Sequence, residues 1–452
     1  MIHQNDLSEK ATISLLNSMK TLKINSLLRN CNIRKSNGIS VNQIFQMLIL
    51  LTFQGKNLFR LLQSPKGLDL PSKDTYYRFL NHYTYAWRRF LTSLALHVIS
   101  VFSSLTSERR VKVFIIDDSL FSRARSKKVE LLARVFDHTT RKMVKGFNML
   151  TLGWSDGFSF IPLDFTMLSS ANEKNRLENV NQEIDKRTHG YKRRVEATKS
   201  KPECVSDMLD RMLDAGLCAD YVLMDSWFTN EPMLKALLAK GLDVIGMVKD
   251  IKQKYLYNGK WLTLKELRTK LKASDFTDLI GSLNVETKSG IKVQLVFVKN
   301  RNIQKEWLVV LCTDQILQAR EVIKIYGIRW SIETFFKSTK SLLKLGSEFQ
   351  GRSYDMIISH TTVVFTRYII LEWERRHHQD LRTLGGLFFE YCDEVRELDF
   401  KEALSSLLEV FENMKAIVPK QCIKTINYQL KEWIQSQPSY IKHLIGDLCC
   451  ES

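Results

Sequence analysis

Carboxylates at three separate places have the residue types and spacing of a catalytic metal site. Asp117 and Asp118 end one short β-branched run, Asp225 ends another, and Glu333 lies in a stretch with helical periodicity. Ligand-binding groups gather at the carboxyl ends of strands in open α/β sheets, so these acids are expected to meet. Hard oxygen ligands suit Mg²⁺, with Mn²⁺ as a substitute. Two such ions would clamp the attacking and leaving oxygens of a phosphoryl transfer.

Each acid also has a purely structural explanation. Asp225 is in a position to cap the helix that follows it, the Asp117–Asp118 pair is compatible with a solvated turn, and Glu333 is compatible with an exposed helix surface. Neighbouring strand residues face opposite sides, so only one of Asp117 and Asp118 can point into a shared site.

The segment around Glu333 places several phosphate-binding groups together. Tyr326, Arg329, Glu333 and Lys340 are separated by three, four and seven residues, which at about 100° per residue puts them on one helix face. Arginine and lysine bind phosphates while a glutamate holds an ion. The alternative is an Arg329–Glu333 salt bridge on a solvated helix. The rest of the helix is largely apolar, which favours a polar face bordering a cleft.

The elements that must position these residues alternate between strands and helices. Strand patterns over 111–117, 147–154, 158–165, 220–225 and 243–248, interrupted by helical stretches, predict an α/β fold with a mixed sheet. Ser155-Asp156-Gly157 predicts a hairpin turn between the second and third of these strands. We expect a β-rich insertion at 250–315 and one long helix over 318–345. The predicted organisation is a helical DNA-binding region, a core in two parts around that insertion, and a C-terminal helical region, with the boundaries 1–104, 105–249, 250–315, 316–352 and 353–452.

The net charge of the chain predicts a polyanionic partner. The 452 residues carry 67 Lys and Arg against 49 Asp and Glu, a net charge of +18, and such a surface attracts nucleic acid first and an anionic membrane second. Residues 1–104 hold 13 basic and 4 acidic residues, whereas 353–452 hold 11 and 15. The C-terminal region is therefore a poor candidate for binding a polyanion.

Two segments are candidates for DNA contact. Ser72, followed by Asp74, is a good N-cap for a short recognition helix over 72–82, from which Lys73, Tyr76, Tyr77 and Arg78 can touch DNA; alternatively, Tyr77 and Leu80 pack in a helical bundle. The second segment is Lys192-Arg193-Arg194. We predict that it contacts the phosphate backbone without reading sequence, and the alternative is a solvated helix face.

Cysteine and hydropathy patterns bear on the compartment. No cysteine pair has the spacing of a zinc site, which favours a reduced, cytoplasmic protein. No run approaches the roughly 20 apolar residues of a membrane span. The apolar run over 356–373 contains His360 and Arg367 and is therefore interpreted as a buried helix.

The acids and the helix signature resemble those of DDE transposases from bacterial insertion sequences. The similarity is to the subgroup whose third acid lies in a Y-x2-R-x3-E-x6-K signature, matched here by Tyr326, Arg329, Glu333 and Lys340. The segments 115–119 (IIDDS) and 221–230 (YVLMDSWFTN) are similar to the family's first and second acidic motifs. The resemblance covers roughly residues 110–350.

This resemblance implies a ribonuclease-H-like core with a β-rich insertion, and Mg²⁺-dependent cleavage of DNA at the element's ends followed by strand transfer. Family motifs of the form acid-Asp-Thr make Asp118 the catalytic first acid, with Asp117 as the fallback, beside Asp225 and Glu333. The resemblance also implies that Tyr326, Arg329 and Lys340 contact DNA phosphates near the cleavage site, and that Trp261 is a candidate for stacking a flipped base.

The expected partners are double-stranded DNA, as terminal inverted repeats and as target, and a second copy of the chain in the DNA complex. Two other functions are weighed: a metal-dependent nuclease without strand transfer, and an inactive DNA-binding protein derived from a transposase. The presence of all three acids and all four signature residues counts against the inactive protein.

Overall fold

A computed structural model of the chain describes residues 14–445 except 69, 108, 138–139, 181–182, 251–252, 272–278, 301–302, 304–305, 350, 378–381, 439–440 and 443–444. In these residues eleven strands form one mixed sheet, in the order β2-β3-β1-β5-β6-β11-β10-β9-β7-β8, with β4 also paired to β3. The strands are β1 Val113–Ser122, β2 Ala133–Asp137, β3 Lys142–Ser155, β4 Phe160–Leu168, β5 Tyr221–Met224, β6 Asp243–Val248, β7 Lys254–Tyr257, β8 Lys260–Thr263, β9 Leu279–Glu286, β10 Lys292–Lys299 and β11 Trp307–Cys312.

The mixed sheet with helical flanks confirms the predicted α/β architecture. β1 runs antiparallel to β3 and parallel to β5, and β5 runs parallel to β6. The predicted turn between β3 and β4 is present: Gly157 adopts a positive φ of 82°, and the Asp156 carboxylate accepts from the backbone N–H groups of Phe158 and Ser159. β2 was not predicted, because its five residues are too few to show a clear period.

The β-rich character of 250–315 is confirmed, but these strands do not form a sheet of their own. β11 pairs antiparallel with β6, so β7 to β11 extend the central sheet. The short helix α10 (Leu264–Arg268) connects two of these strands. Its N-cap is a capping box between Thr263 and Glu266.

The N-terminal region is helical, as predicted. It contains α1 Ser14–Thr21, α2 Ile24–Asn30, α3 Val41–Leu50, α4 Leu58–Leu62, α5 Lys73–Leu80 and α6 Trp87–Ser104. Their apolar residues join the sheet and the C-terminal helices in one hydrophobic cluster that extends from Leu15 to Val395. This shared core indicates that residues 1–104 depend on the rest of the chain for burial of their apolar surface.

Helix α13 (Tyr354–His377) is buried along nearly its whole length, which confirms the interpretation of 356–373. Arg367 is fully buried because acceptors surround its guanidinium: the Glu348 carboxylate at 2.8 and 2.9 Å, and the carbonyls of Leu48, Ile49 and Leu343. A buried arginine is tolerated when its donors are paired in this way. Arg367 thereby connects α3 to the segment that follows the Glu333 helix.

The predicted long helix over 318–345 is wrong in one respect, because the structure divides it. α11 (Ala319–Gly327) ends at a glycine, and α12 (Trp330–Ser341) begins three residues later. At the break, the N–H groups of Arg329 and Ile332 donate to carbonyls only three residues back, at 3.0 and 3.2 Å, a tighter turn than the α-helix. Tyr326 and Glu333 therefore lie on different helices.

The remaining helices are α7 His189–Glu196, α8 Lys201–Asp214, α9 Glu231–Leu238, α14 Leu384–Ile417 and α15 Lys420–Ser436. Helices cover both faces of the sheet. On one face, Arg88 of α6 and Arg211 of α8 bind Asp164 of β4; on the other, Phe365 of α13 packs on Phe165. Over the described part of the chain, no helix has the length and apolarity to cross a membrane.

Candidate active site

The register of β1 on β5 decides which aspartate of the adjacent pair faces the second acid. Ile116 pairs with Met224 in the parallel ladder, so the next position along each strand places Asp117 level with Asp225. Level residues on neighbouring strands point to the same face, and the next residue points to the other. Asp117 and Asp225 therefore share one face at the carboxyl ends of their strands.

Arg329 brings the third acid to the same place. Its guanidinium binds the Asp117 carboxylate at 3.0 Å and forms a very short contact with the Glu333 carboxylate. Because Arg329 lies in the break between α11 and α12, its side chain spans from the helix to the strand end. The predicted Arg329–Glu333 pair is thus present, but on a half-buried surface with Asp117 as a second partner, and not on a solvated helix.

Charge is concentrated at Asp117. Burial raises the pKa of Asp117 to about 7, Arg329 opposes that rise, and the nearby Asp225 carboxylate adds to it. Like charges and loss of water both disfavour an ionised carboxylate. The arrangement has more negative charge than one guanidinium balances, which is the condition that favours an additional cation.

Asp118 lies on the opposite face. Its carboxylate binds the Lys201 ammonium at 2.9 Å, and that ammonium also stands 4.5 Å from the centre of the Trp227 ring. Lys201 begins α8, which covers the face of the sheet away from α12. The geometry therefore contradicts the placement of Asp118 beside Glu333 and favours the fallback, Asp117. The physical reason is strand alternation combined with the β1–β5 register.

Asp225 does not cap the helix that follows it. Its Oδ1 atom accepts from the backbone N–H groups of Trp227 and Phe228 at 2.9 and 3.2 Å, which holds the carboxylate in a turn. The N-cap of α9 is Asn230, whose side chain accepts from Met233. The structural explanation of Asp225 as a helix cap is therefore excluded.

The other two residues of the signature also face this site. Burial raises the pKa of Tyr326 to about 12, and the Arg329 guanidinium stands 5.8 Å from its ring centre. The Lys340 ammonium donates to the Ser119 hydroxyl at 2.6 Å. Ser119 is two residues beyond Asp117 on β1 and so points to the same face.

The N-terminal candidates divide into exposed and buried residues. Lys73 and Arg78 of α5 are exposed, so both remain available for DNA contact. Tyr76 is buried, and Tyr77 packs edge-on against Phe349. The bundle-packing alternative therefore describes the two tyrosines. Ser72 occupies the N-cap position, but its side chain accepts no hydrogen bond from the helix.

The basic cluster on α7 is placed differently from the prediction. Lys192 is exposed, but Arg193 and Arg194 are 5% and 3% exposed and share the Asp355 carboxylate at 3.0 and 2.7 Å. Arg194 also binds Glu130 at 2.6 Å. The prediction that Arg193 and Arg194 contact phosphates is wrong for this structure, because buried acids already occupy their guanidinium groups.

Trp261 lies on β8 with 45% of its surface exposed. Its exposure leaves the indole free to stack on a planar group. Trp227 is also exposed, at 38%, and lies two residues after Asp225. Sequence reasoning missed Trp227 and Lys201; the signals available for them were the position of Trp227 beside an acid and a lysine opening a helix.

The acids are not preorganised as a closed metal cage. Among the described residues, no group of three or more histidine, cysteine, aspartate or glutamate side chains is close enough to hold an ion. Arg329 lies between Asp117 and Glu333 instead. The donor set is nevertheless the hard-oxygen type that Mg²⁺ prefers, and its uncompensated negative charge fits a divalent ion.

Two models of known protein families match overlapping parts of the chain. A model of the DDE superfamily endonucleases matches residues 44–257, which include Asp117 and Asp225. A model of the transposase DDE domain matches residues 169–365, which include Asp225 and Glu333. Together the two matches span residues 44–365, a range that includes all three acids.

Sequence identity to individual known proteins is low. The chain is 26% identical over 145 residues to the transposase for insertion sequence element IS1151 from Clostridium perfringens, a match that spans 27% of this chain and 29% of that protein. The solved Drosophila P element transposase strand transfer complex aligns over 97% of this chain and 84% of that chain, at 10% identity and a TM-score of 0.24.

Proposed function

We propose that this protein is a DNA transposase of the insertion-sequence type, which cleaves the ends of its element and joins them to target DNA. The observation that carries the proposal is the bridge of Arg329 between Asp117 and Glu333, with Asp225 beside them at the open end of the sheet. Matches to DDE models on both sides of Asp225 support it. The mixed sheet that bears these acids is consistent with a ribonuclease-H-like core.

The proposed catalytic acids are Asp117, Asp225 and Glu333. Asp117 replaces Asp118 because it shares a face with Asp225 and is joined to Glu333 by one arginine. Asp118, in contrast, is neutralised by Lys201 on the other face. We assign Asp118 the role of holding α8 against the end of β1.

The three carboxylates would hold Mg²⁺, in the two-ion arrangement predicted from the sequence, with Mn²⁺ as a substitute. The chemistry that such ions would supply there is activation of the attacking oxygen and stabilisation of the leaving oxygen of the phosphodiester. Arg329 neutralises Asp117 and Glu333 while DNA is absent. The planar guanidinium of Arg329 is also suited to bind the scissile phosphate, and its place between Asp117 and Glu333 would put it beside that phosphate.

Lys340 and Tyr326 complete the phosphate-binding surface. The Lys340 ammonium, already at the Ser119 hydroxyl, reaches the same face of β1 as Asp117. With its pKa raised to about 12, the Tyr326 phenol stays protonated and acts as a hydrogen-bond donor to phosphate. Both residues position the scissile phosphate and take no part in proton transfer.

The DNA partner is supported by the overall charge of +18. Exposed Lys73, Arg78 and Lys192 supply further backbone contacts. We further propose that two copies act in the DNA complex, because two element ends must be cleaved and joined together.

The test is a cleavage and joining assay with purified full-length protein. A labelled duplex that carries the inverted repeat flanking the coding region is incubated with a supercoiled target plasmid and Mg²⁺. We expect nicked ends and end–plasmid joined products, and neither from Glu333→Gln, which should still bind the end. Cleavage without joining would establish the nuclease alternative. End binding without either product, in Mg²⁺ and Mn²⁺, would establish the inactive DNA-binding protein.

A further inference from the structure

The face of the sheet that bears Asp117 continues past the end of β1 onto the hairpin of β2 and β3. In the antiparallel ladder Asp117 is level with Thr151, and Phe121 with Phe147. Two residues further along β3, Lys145 is level with Arg134 of β2. Residues directly opposite in an antiparallel pair share a face, and the period along a strand is two. Lys145 and Arg134 therefore lie on the same face as the proposed catalytic acids.

This pair has an electrostatic arrangement that the protein alone does not explain. Two like charges directly opposite across a ladder destabilise the sheet. Arg134 is exposed, Lys145 is partly exposed, and neither forms an ion pair within the described part of the chain. The next opposite pair on this face, Phe136 and Met143, is apolar but 44% and 54% exposed.

The surrounding sequence strengthens the positive potential. Residues 123–145 contain eight lysines and arginines against two acids. One of the acids, Glu130, is bound by Arg194. The other, Asp137, accepts a hydrogen bond from Thr140, and its charge also reaches Lys340: burial lowers the pKa of the Lys340 ammonium, and the Asp137 carboxylate opposes that shift. The hairpin face therefore presents two unpaired cations beside an apolar pair.

We propose that this hairpin face, centred on Arg134 and Lys145, binds the phosphate backbone of the duplex that is being cleaved. The inference rests on the proposed function and names a docking surface for its substrate. Closely spaced cations are favourable against a phosphate backbone, and the exposed Phe136 and Met143 suit the apolar faces of the adjacent sugars.

The strand register also predicts where on the duplex the contact falls. Six residues separate Thr151, level with Asp117, from Lys145. At about 3.4 Å per residue this is about 20 Å along β3. Each DNA strand advances about 3.4 Å per base pair, so for a duplex that runs along β3 the proposal places the contacted phosphates about six base pairs from the cleaved one.

The binding test compares matched lysines on one strand. Lys145→Gln removes a charge from the catalytic face, whereas Lys142→Gln removes one from the opposite face three residues away. With a mixed-sequence duplex of about 30 base pairs, we expect Lys145→Gln to weaken affinity about tenfold and Lys142→Gln to leave it nearly unchanged. The double variant Arg134→Gln/Lys145→Gln should lower the slope of log affinity against log salt by about two.

Stability provides the second readout. Removing one of two like charges should leave the melting temperature unchanged or raise it, whereas a structural role would lower it. Equal loss of affinity in Lys142→Gln and Lys145→Gln, or a lowered melting temperature together with weaker binding, would overturn the inference.

The location test uses the cleavage substrate. Ethylation of single phosphates should interfere with wild-type binding at about six base pairs from the cleaved bond, and this interference should disappear in the double variant. A double variant that cleaves normally and fails only in joining would assign the surface to target DNA and contradict the proposal. If the wild type cleaves nothing, the proposed function fails, but the mixed-sequence binding arm still decides whether this face binds DNA.

Discussion

Two arginine–carboxylate clusters in this protein use the same groups in different environments. Arg193 and Arg194 share Asp355 in a cluster whose side chains are 2–5% exposed. Arg329 joins Asp117 to Glu333, and the glutamate side chain is 36% exposed. The side chains of the sealed cluster are inaccessible to a new binding partner, so this cluster stabilises the fold. In the open cluster the carboxylates can replace Arg329 with another cation, and Arg329 can replace a carboxylate with a phosphate. The open cluster is therefore suited to chemistry.

Asp117→Asn should have the largest effect and tests whether the open cluster is the reactive one. Loss of one metal-binding carboxylate should reduce single-turnover cleavage by about three decades or more, while end binding persists. Asp118→Asn, its neighbour on the other face, should cleave within about tenfold of wild type. The reverse pattern would restore Asp118 as the catalytic acid and contradict the assignment made from the strand register.

Arg194→Met tests the sealed cluster. Removing Arg194 takes one guanidinium partner from both Asp355 and Glu130 and leaves Arg193 as the arginine at Asp355, so the free energy of unfolding should fall by about 3 kcal/mol. Lys192→Gln, exposed on the same helix, should change it by less than about 0.5 kcal/mol. Denaturant unfolding followed by tryptophan fluorescence measures both. DNA affinity of the folded Arg194→Met protein should equal that of wild type, and a selective loss of affinity would show that this cluster contacts DNA.

Lys340→Ala should affect the rate and leave stability largely intact. Loss of a charged contact to the transferring phosphate costs about 2–4 kcal/mol in the transition state, which is about two to three decades in the cleavage rate. Lys324→Ala, on the exposed surface of α11 and outside the signature, serves as the matched control. Equal rates for the two variants in single-turnover cleavage would remove Lys340 from the site.

Lys201→Gln should have the smallest effect. The Lys201–Asp118 pair is mostly buried on the face away from Glu333, so its loss should cost about 2 kcal/mol of stability and change cleavage only slightly. Thermal melting and single-turnover cleavage on the same preparation separate the two effects. A hundredfold loss of cleavage without a change in melting temperature would show that Lys201, and the face of the sheet on which it lies, takes part in cleavage.

Several features followed from the sequence alone because they depend on local pattern. Alternation and helical periodicity predicted the mixed sheet, the helical flanks and the Ser155–Gly157 turn. The acids and the spacing from Tyr326 to Lys340 predicted the candidate site, because residue type and element type can be inferred from short stretches of consecutive residues.

Other features depended on contacts between distant segments. Alternation required one of Asp117 and Asp118 to face the site, but only the pairing of β1 with β5 decides which. Lys192, Arg193 and Arg194 form one basic run in sequence, yet Asp355, more than 150 residues away, determines that the two arginines are buried. A charged side chain is stable inside a protein only when its partners are present, and tertiary structure alone brings those partners to it.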